Sequence, residues 1–229
     1  MSRQHPLQRL ASPSPTVSLA LHLAGVASFS YNFYFLTTWD VPIADAYGWH
    51  FQFLTILGLS AALLAFSLAA LADLTLSPAL FRAKNVVAVL AAPVEVVVAI
   101  LYWGLYLIDP TLLVEGDFQL PLLVDMGFHL APAVLLAADF VLLSPPWTVP
   151  AYGVVALSGS LASAYWIWVE HCFSHNGWYP YPIFALLSTP QRLLLFTFAA
   201  FLSTGSSIGL SWVYGKVNGY EGVPVKKIQ

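Results

Sequence analysis

Residues 51–73 read FQFLTILGLSAALLAFSLAALAD, an apolar run in which only the last residue is charged. About 20 helical residues are needed to cross the hydrocarbon core of a bilayer, which is roughly 30 Å thick. Five further apolar runs of this length occupy most of the 229-residue chain. The sequence therefore predicts an all-α polytopic membrane bundle with six transmembrane helices, at residues 16–37, 51–73, 85–108, 120–143, 150–171 and 191–215.

Composition agrees with a membrane protein and leaves little chain for a separate soluble domain. Hydrophobic residues make up 59% of the chain and charged residues 8%, and the mean hydropathy is +0.77. We expect residues 1–15 to form a cytoplasmic N-terminal segment, residues 16–215 the transmembrane domain, and residues 216–229 a cytoplasmic tail. Cys172 is the only cysteine, so the sequence excludes an intrachain disulfide.

Basic residues occur in alternate segments between the apolar runs. The segments 38–50, 109–119 and 172–190 contain no Lys or Arg, and Arg192 alone stands on their side. By the positive-inside rule, this asymmetry predicts that both termini are cytoplasmic. Topology explains the basic residues better than nucleic-acid binding does, because they are divided among three segments. These residues are Arg3, Arg9, Arg82, Lys84, Lys216, Lys226 and Lys227.

A group of polar residues converges in the outer, non-cytoplasmic half of the predicted bundle. With a helical rise of about 1.5 Å per residue, Thr55 lies about 6 Å into the second span and His129 about 13 Å into the fourth. We expect these two side chains to face one another across a cavity. Asp125 precedes His129 by four residues, which puts both on one helix face. The ends of the first and fifth spans add Asn32, Glu170, His171 and His175 at the same level.

Each of these polar residues also has a structural interpretation. A threonine in a membrane helix commonly bonds the carbonyl four residues before it, which would suffice to explain Thr55. A histidine inside a membrane is rarer, and this favours a functional role for His129. Asp125 either orients that imidazole or reaches the membrane interface, and the sequence leaves both open. Glu170 and His171 stand at a helix end, where water can solvate them.

Two of the histidines suggest a competing metal site. His171 and His175 have the i, i+4 spacing that lets two imidazoles share a metal ion, and His129 could supply a third ligand. Membrane zinc amidases use such intramembrane histidines. The turn-forming pair Asn176 and Gly177 follows at once, however, and favours a helix that ends before His175. We therefore expect no metal ion.

Three ionisable residues lie nearer the predicted cytoplasmic side. Asp73 and Asp139 come near the cytoplasmic ends of their spans, and we interpret them as boundary residues. His22 lies inside the first span, and the sequence leaves its role open.

Several segments, taken in order along the chain, resemble one family throughout. This family is that of the androgen-induced and androgen-dependent-TFPI-regulating membrane proteins. Its second span opens on a W-K-F-L-T signature, its fourth contains G-M-H, and its fifth leads into W-V-H-H and T-G-x-W-x-Y-P. The similar stretches here are WHFQFLT at 49–55, LAAPV at 90–94 with YW at 102–103 and ID at 108–109, GFH at 127–129, WVEH at 168–171, and NGWYPYP at 176–182.

The resemblance implies an enzyme, because the family's characterised members are multipass threonine hydrolases that cleave fatty acid esters of hydroxy fatty acids. Their nucleophile falls on Thr55 and their essential histidine on His129. A neutral imidazole is suited to activate a threonine hydroxyl near pH 7, and Asp125 would orient it. Asn32 and backbone amides are candidate oxyanion donors. The lysine of the family's W-K-F-L-T signature is absent here, where Phe51 and Gln52 stand in its place. The family's His-His pair reads Glu170-His171 in this chain. Both changes concern substrate preference.

The resulting prediction is a membrane esterase that acts on a branched fatty acid ester or a similar acyl ester. No organic cofactor, no metal and no nucleic acid is expected; the expected partners are the lipid substrate and membrane lipids. The expected location is the endoplasmic reticulum or plasma membrane. Three alternatives stay open: a non-catalytic lipid-binding or regulatory protein of the same fold, an intramembrane zinc-dependent lipid amidase, and a lipid transporter.

Overall fold

The computed structural model describes residues 16–114 and 120–219, and every regular element in these two ranges is helical. Eight α-helices and three short 3-10 turns follow one another along the chain. The α-helices are α1 (Val17–Thr38), α2 (Leu54–Thr75), α3 (Pro78–Ile108), α4 (Leu122–His129), α5 (Ala131–Leu143), α6 (Ala151–Asn176), α7 (Pro182–Leu186) and α8 (Thr189–Asn218), and the 3-10 turns are Pro42–Asp45, Trp49–Gln52 and Pro110–Leu112.

The predicted all-α membrane bundle is confirmed. Helices α1, α2, α3, α6 and α8 are each long and apolar enough to cross a membrane, and α4 with α5 makes a sixth span if the bent pair counts as one. The first fifteen residues and residues 220–229 lie outside the described ranges, as do residues 115–119. The proposed N-terminal segment and most of the proposed tail therefore carry no structural statement.

The fourth span is broken between α4 and α5. The two helices meet at an angle of 46°, and Leu130 between them has a non-helical backbone. Pro132 is the cause, because proline has no N–H to bond the carbonyl of Phe128 and its ring clashes with that carbonyl. His129 consequently occupies the last position of α4 rather than the middle of a continuous helix.

The second span begins later than the sequence predicts. Gly48 and Trp49 both have positive φ values, of 87° and 48°, and Trp49–Gln52 forms a 3-10 turn before the α-helix starts at Leu54. The predicted start at residue 51 is therefore wrong by three residues. Thr55 becomes the second residue of α2 and lies at its N-terminus instead of a turn inside it.

The third and sixth spans are longer than predicted. Helix α3 begins at Pro78, so Arg82 and Lys84 lie on the helix and not in the preceding connection. Lys84 is only 1% exposed, so this residue does not belong to the surface charge that we used to orient the chain. Helix α8 continues to Asn218, past the predicted end at 215, because the buried Asn218 amide bonds the carbonyls of Val141 and Tyr214.

Helix α2 is the centre of the bundle, with α1 and α3 packed along it. Leu59, Ala62 and Phe66 of α2 are 0–1% exposed and belong to the main core cluster, in which the Phe66 ring contacts that of Phe29 of α1 at a centroid distance of 5.3 Å. Gly25 lets α1 approach closely, since a Cβ there would lie 2.2 Å from a ring carbon of Phe66. Small residues at helix contacts are the usual device for close packing in membranes, where lipid competes with any apolar surface.

The orientation inferred from the basic residues can be tested with single cysteines. In a Cys172→Ser background, we expect Ser77→Cys, in the turn between α2 and α3, to react with an impermeant maleimide in sealed vesicles whose cytoplasmic face is outward. Thr111→Cys, in the connection after α3, should react only after detergent is added. This labelling pattern follows from the positive-inside rule, because Arg82 lies near Ser77 whereas residues 109–119 contain no Lys or Arg. The reverse labelling pattern would overturn the orientation.

Candidate functional site

A cavity of about 400 Å³ lies between α2, α3, α6 and α8, with residues of the 181–184 segment along one side. Most of its wall is aliphatic and aromatic. Six lining residues carry a side-chain hydroxyl, and they are Thr55, Tyr102, Ser158, Tyr165, Tyr181 and Ser203.

The cavity reaches the lipid-facing surface between α3 and α8. Ile100 and Ile108 of α3 belong to its wall and are 49% and 78% exposed, and Phe198 of α8 is 55% exposed. Exposed aliphatic residues on a membrane helix face acyl chains rather than water. An apolar molecule dissolved in the bilayer therefore has a lateral path into the cavity.

Thr55 contributes its side chain to the cavity wall from the N-terminus of α2. At this end the first backbone N–H groups of a helix have no partner within the helix and carry a partial positive charge. The Leu54 N–H donates to the Tyr165 hydroxyl at 3.1 Å, and that hydroxyl donates to the Gln52 carbonyl at 3.0 Å. Tyr165 of α6 thus fixes the start of α2, and with it the position of Thr55.

Tyr181 lies beside Thr55 at this helix end. Its ring contacts Phe53 and Phe184 edge to face, with centroid distances of 5.1 and 5.5 Å. Burial raises the pKa of the Tyr181 hydroxyl above its usual value, while hydrogen-bond interactions with the Thr55 side chain and with the Thr55 and Leu54 backbone act in the opposite direction. Thr55 and Tyr181 thus bring two hydroxyls together at the N-terminus of α2.

His129 and Asp125 form the predicted pair on one face of α4. The Nδ1 atom of His129 lies 2.7 Å from Oδ1 of Asp125 and 3.1 Å from the Asp125 backbone carbonyl. Both partners are acceptors, so Nδ1 carries the proton and Nε2 has the free lone pair in the neutral imidazole. This arrangement gives the imidazole the tautomer that a general base requires.

Tyr102 stands between this pair and the cavity. Its ring stacks on the imidazole of His129 with a centroid distance of 3.4 Å and an angle of 3°, and its hydroxyl interacts with the Asp125 carboxylate. Tyr102 lines the cavity, whereas His129 is not among the lining residues. The expectation that Thr55 and His129 face one another across the cavity is therefore wrong for this structure, because the Tyr102 ring lies over the imidazole and His129 does not line the cavity.

Asn32 lies away from the cavity wall. Its Nδ2 donates to the backbone carbonyl of Val124 at 3.4 Å, and its amide fills the space next to Gly127, where a Cβ would come within 2.5 Å of it. The side chain joins α1 to α4 and does not line the cavity, so it is poorly situated as an oxyanion donor.

The remaining predicted residues form a separate cluster at the outer end of α6. His171 contacts the Tyr47 hydroxyl at 3.1 Å, and His175 stacks on the Tyr47 ring at 4.1 Å. Glu170 pairs with Arg192 at 3.4 Å and accepts from the Tyr179 hydroxyl at 3.0 Å, which also accounts for the single basic residue on this side. None of these side chains lines the cavity.

Helix α6 continues through His175 to Asn176, so the expected early end of this helix is wrong. Gly177 provides the physical reason, because its left-handed backbone, with φ of 77°, lets the helix end after Asn176. His171 and His175 both remain on the helix. In residues 16–114 and 120–219, however, no group of three or more His, Cys, Asp or Glu side chains is arranged to hold a metal ion.

A second polar cluster lies in the half of the bundle that the sequence predicts to be cytoplasmic. His22 contacts Asp73 through Nδ1 at 2.8 Å and Asp139 through Nε2 at 2.9 Å, and the Lys84 ammonium donates to both Asp139 oxygens at 2.6 and 2.7 Å. All four side chains are at most 2% exposed. The interpretation of Asp73 and Asp139 as boundary residues is therefore wrong. The occurrence of His22, Asp73 and Asp139 in three predicted spans, with Lys84 directly before a fourth, was the signal that could have revealed the cluster.

Three of the cavity hydroxyls were also missed by the sequence interpretation of this site. The sequence alone does not distinguish Tyr102, Tyr165 and Tyr181 from ordinary membrane aromatics. The stretches that contain Tyr102 and Tyr181 were used only for the family resemblance. Nothing in their local sequence indicates that they converge on Thr55 and His129, because they come from α3, α6 and the connection before α7.

Comparisons with known proteins agree with this fold. A family model described as FAR-17a/AIG1-like protein matches residues 17–215. A UPF0641 membrane protein of Schizosaccharomyces pombe is 34% identical over 200 residues, a match that covers 86% of this chain and 90% of that protein. No solved structure gives a significant match. Together with the apolar helices, these similarities identify a multipass integral membrane protein.

Proposed function

The chain belongs to the FAR-17a/AIG1-like family of membrane proteins, and we propose that it is a lipid hydrolase in which Thr55 is the nucleophile. The observation that carries this proposal is the position of the Thr55 side chain, in the wall of an apolar cavity open to lipid and at the N-terminus of a helix. A molecule that enters the cavity can therefore contact the Thr55 hydroxyl directly.

The substrate class follows from the cavity wall. Aliphatic and aromatic side chains suit an acyl chain, and the few hydroxyls near Thr55 suit one ester group. The resemblance of the chain to threonine hydrolases points to fatty acid esters of hydroxy fatty acids, in which the ester joins two apolar chains. Lateral entry between α3 and α8 fits a substrate that is dissolved in the membrane.

In the proposed acylation step, the Thr55 oxygen attacks the ester carbonyl carbon while its proton passes to Nε2 of His129. The tetrahedral intermediate collapses, the bond to the alcohol oxygen breaks, and the imidazolium returns the proton to the leaving hydroxy acid. Water, activated by the same imidazole, then hydrolyses the acyl-enzyme. Asp125 keeps Nδ1 protonated and stabilises the imidazolium.

This step requires the Tyr102 ring to expose Nε2 of His129 to the cavity when substrate binds. Catalytic hydrogen bonds are often incomplete in a free enzyme and form only in the complex with substrate. Tyr102 belongs to the cavity wall, so an entering acyl chain contacts it directly.

The developing negative charge on the ester oxygen is stabilised at the N-terminus of α2. The backbone N–H of Thr55 and the hydroxyl of Tyr181 are the donors that we assign to this role, since both lie beside the nucleophile. The partial positive charge of the helix end adds to their effect.

Replacing Tyr181 by Phe tests this assignment. We expect kcat to fall by about 10²–10³-fold, as for the loss of one oxyanion donor, while KM changes little because the ring contacts with Phe53 and Phe184 remain. Tyr179→Phe is the matched control, because the Tyr179 hydroxyl donates to Glu170 and Tyr179 does not line the cavity. Equal kcat values for Tyr181→Phe and the wild type would remove Tyr181 from the mechanism.

A non-catalytic lipid-binding protein is the second candidate, and the covering of His129 by Tyr102 is the observation that favours it. A fluorophosphonate probe separates the two functions, because it reacts with an activated hydroxyl but not with a passive one. Labelling that is lost in Thr55→Ala supports the hydrolase, whereas a wild-type protein that binds fatty acid without labelling supports the binding protein. The zinc amidase has no comparable support, since His129 lies apart from His171 and His175.

A further inference from the structure

The cavity that contains Thr55 is elongated along α6 and α8. At the level of Thr55, Tyr165 of α6 contacts Phe196 of α8 with a centroid distance of 5.7 Å. Seven residues before Tyr165 on α6 and seven residues after Phe196 on α8, the Ser158 hydroxyl donates to the Ser203 hydroxyl at 3.0 Å. Seven residues of helix span about 10 Å, so the serine pair lies at the end of a channel that extends about 10 Å from the level of Thr55 toward the predicted cytoplasmic half.

The Ser158–Ser203 pair closes the inner end of this cavity. Both serines also line a second, much smaller cavity of about 20 Å³ on their far side, together with Leu161. The pair is therefore a thin wall between the two spaces. Because the Ser158 hydroxyl donates to that of Ser203, both serine oxygens keep a hydrogen-bond partner when an acyl chain ends against them.

We infer that the Ser158–Ser203 pair is the floor of the acyl site and sets the length of the acyl chain that the protein accepts. This inference rests on the proposed hydrolase function for its kinetic readout, although the length limit itself is a property of the cavity. The ester lies at Thr55 and the acyl chain extends toward the serine pair, so its far end meets the floor. A chain longer than the channel has to bend back toward the opening between α3 and α8.

Bulk added at the floor should shorten the accepted chain. Ser158→Leu and, from the opposite helix, Ser203→Leu each fill the inner end, while Leu161→Ala connects the two cavities and lengthens the site. Gly159→Leu is the matched control, because a Cβ at Gly159 meets nothing within 4 Å and the new side chain points away from the cavity.

The test measures kcat/KM for a series of fluorogenic esters whose acyl chains grow two carbons at a time. We expect Ser158→Leu and Ser203→Leu to move the optimum to shorter chains, with at least about a tenfold loss on the longest ester and little change on the shortest. Gly159→Leu should follow the wild type, and Leu161→Ala should favour longer chains. A uniform loss over all lengths, or an unchanged optimum in both serine variants, overturns the inference.

A binding measurement separates this inference from the proposed function. Fatty acids of graded length are used to displace a fluorescent fatty acid from the wild type and from each variant, which requires no catalysis. If the wild type hydrolyses no ester but Ser158→Leu still shifts the preferred length of the displacing acid, the hydrolase proposal fails and the floor stands. If hydrolysis depends on Thr55 but neither assay shows a shift, the floor fails and the hydrolase stands.

Discussion

Thr55→Ala is expected to abolish hydrolysis of a branched fatty acid ester, with kcat lowered by at least about 10⁴-fold, because the variant has no nucleophile. His129→Ala should lower kcat by about 10²–10⁴-fold through loss of the general base. The double variant should be scarcely worse than Thr55→Ala alone, since two residues that act as one unit fail together. Turnover of a purified fatty acid ester of a hydroxy fatty acid, measured in detergent micelles, checks these values.

The Thr55 variant should remain folded, because polar contacts between membrane helices average only about 0.6 kcal/mol. Ser60→Ala is the matched control on the same helix. Its hydroxyl bonds the Ile56 carbonyl of its own helix at 2.6 Å, so its removal should leave turnover unchanged. Thr55→Ser keeps a hydroxyl and should retain part of the activity. Near-wild-type turnover in Thr55→Ala would remove the nucleophile assignment and favour the lipid-binding function.

Lys84→Met is expected to produce the largest loss of stability, about 3–5 kcal/mol, because it leaves a buried carboxylate without its strongest partner. Lys84 is enclosed at the start of α3, where it pairs with both oxygens of Asp139 and donates to the Ser144 hydroxyl at 2.7 Å. Thermal unfolding in detergent, followed by tryptophan fluorescence, should show a melting temperature lower by roughly 10 °C.

The cluster around Lys84 explains why one missing charge has such an effect. The two ring nitrogens of His22 contact Asp73 at 2.8 Å and Asp139 at 2.9 Å, and Lys84 donates to both oxygens of Asp139. Asp139 therefore shares a buried hydrogen-bonded group with a cation, an imidazole and a second carboxyl. This group links α1, α2, α3 and α5, so an uncompensated charge weakens four helix contacts together.

Arg82→Met is the matched control for the stability experiment. Arg82 lies two residues before Lys84 on the same helix but is exposed, and its replacement should change the melting temperature little. The double variant Lys84→Met with Asp139→Leu should recover part of the loss, since it removes both charges. If Lys84→Met and Arg82→Met unfold at the same temperature, the cluster contributes no measurable stability.

The sequence by itself determined the class of this protein and its local arrangement. Hydropathy over about 20 residues is a property of each segment alone, so the six spans could be predicted without any knowledge of packing. The Asp125–His129 contact could be predicted for the same reason, because residues four apart on a helix are neighbours whatever surrounds them. The resemblance to the family rested on short motifs in chain order, and it too needed no tertiary information.

Only the tertiary structure decided where the helices end and which side chains meet. The start of α2 depends on Tyr165, which is 111 residues from Leu54 in the chain, and that contact moved Thr55 to the helix N-terminus. Lys84 reads as a loop charge until Asp139, 55 residues away, is brought beside it. Periodicity records which face of a helix is apolar, but in a membrane nearly every face is apolar, so the pattern holds little information about neighbours. Helix packing therefore supplied the cavity, its hydroxyls and the buried charge cluster.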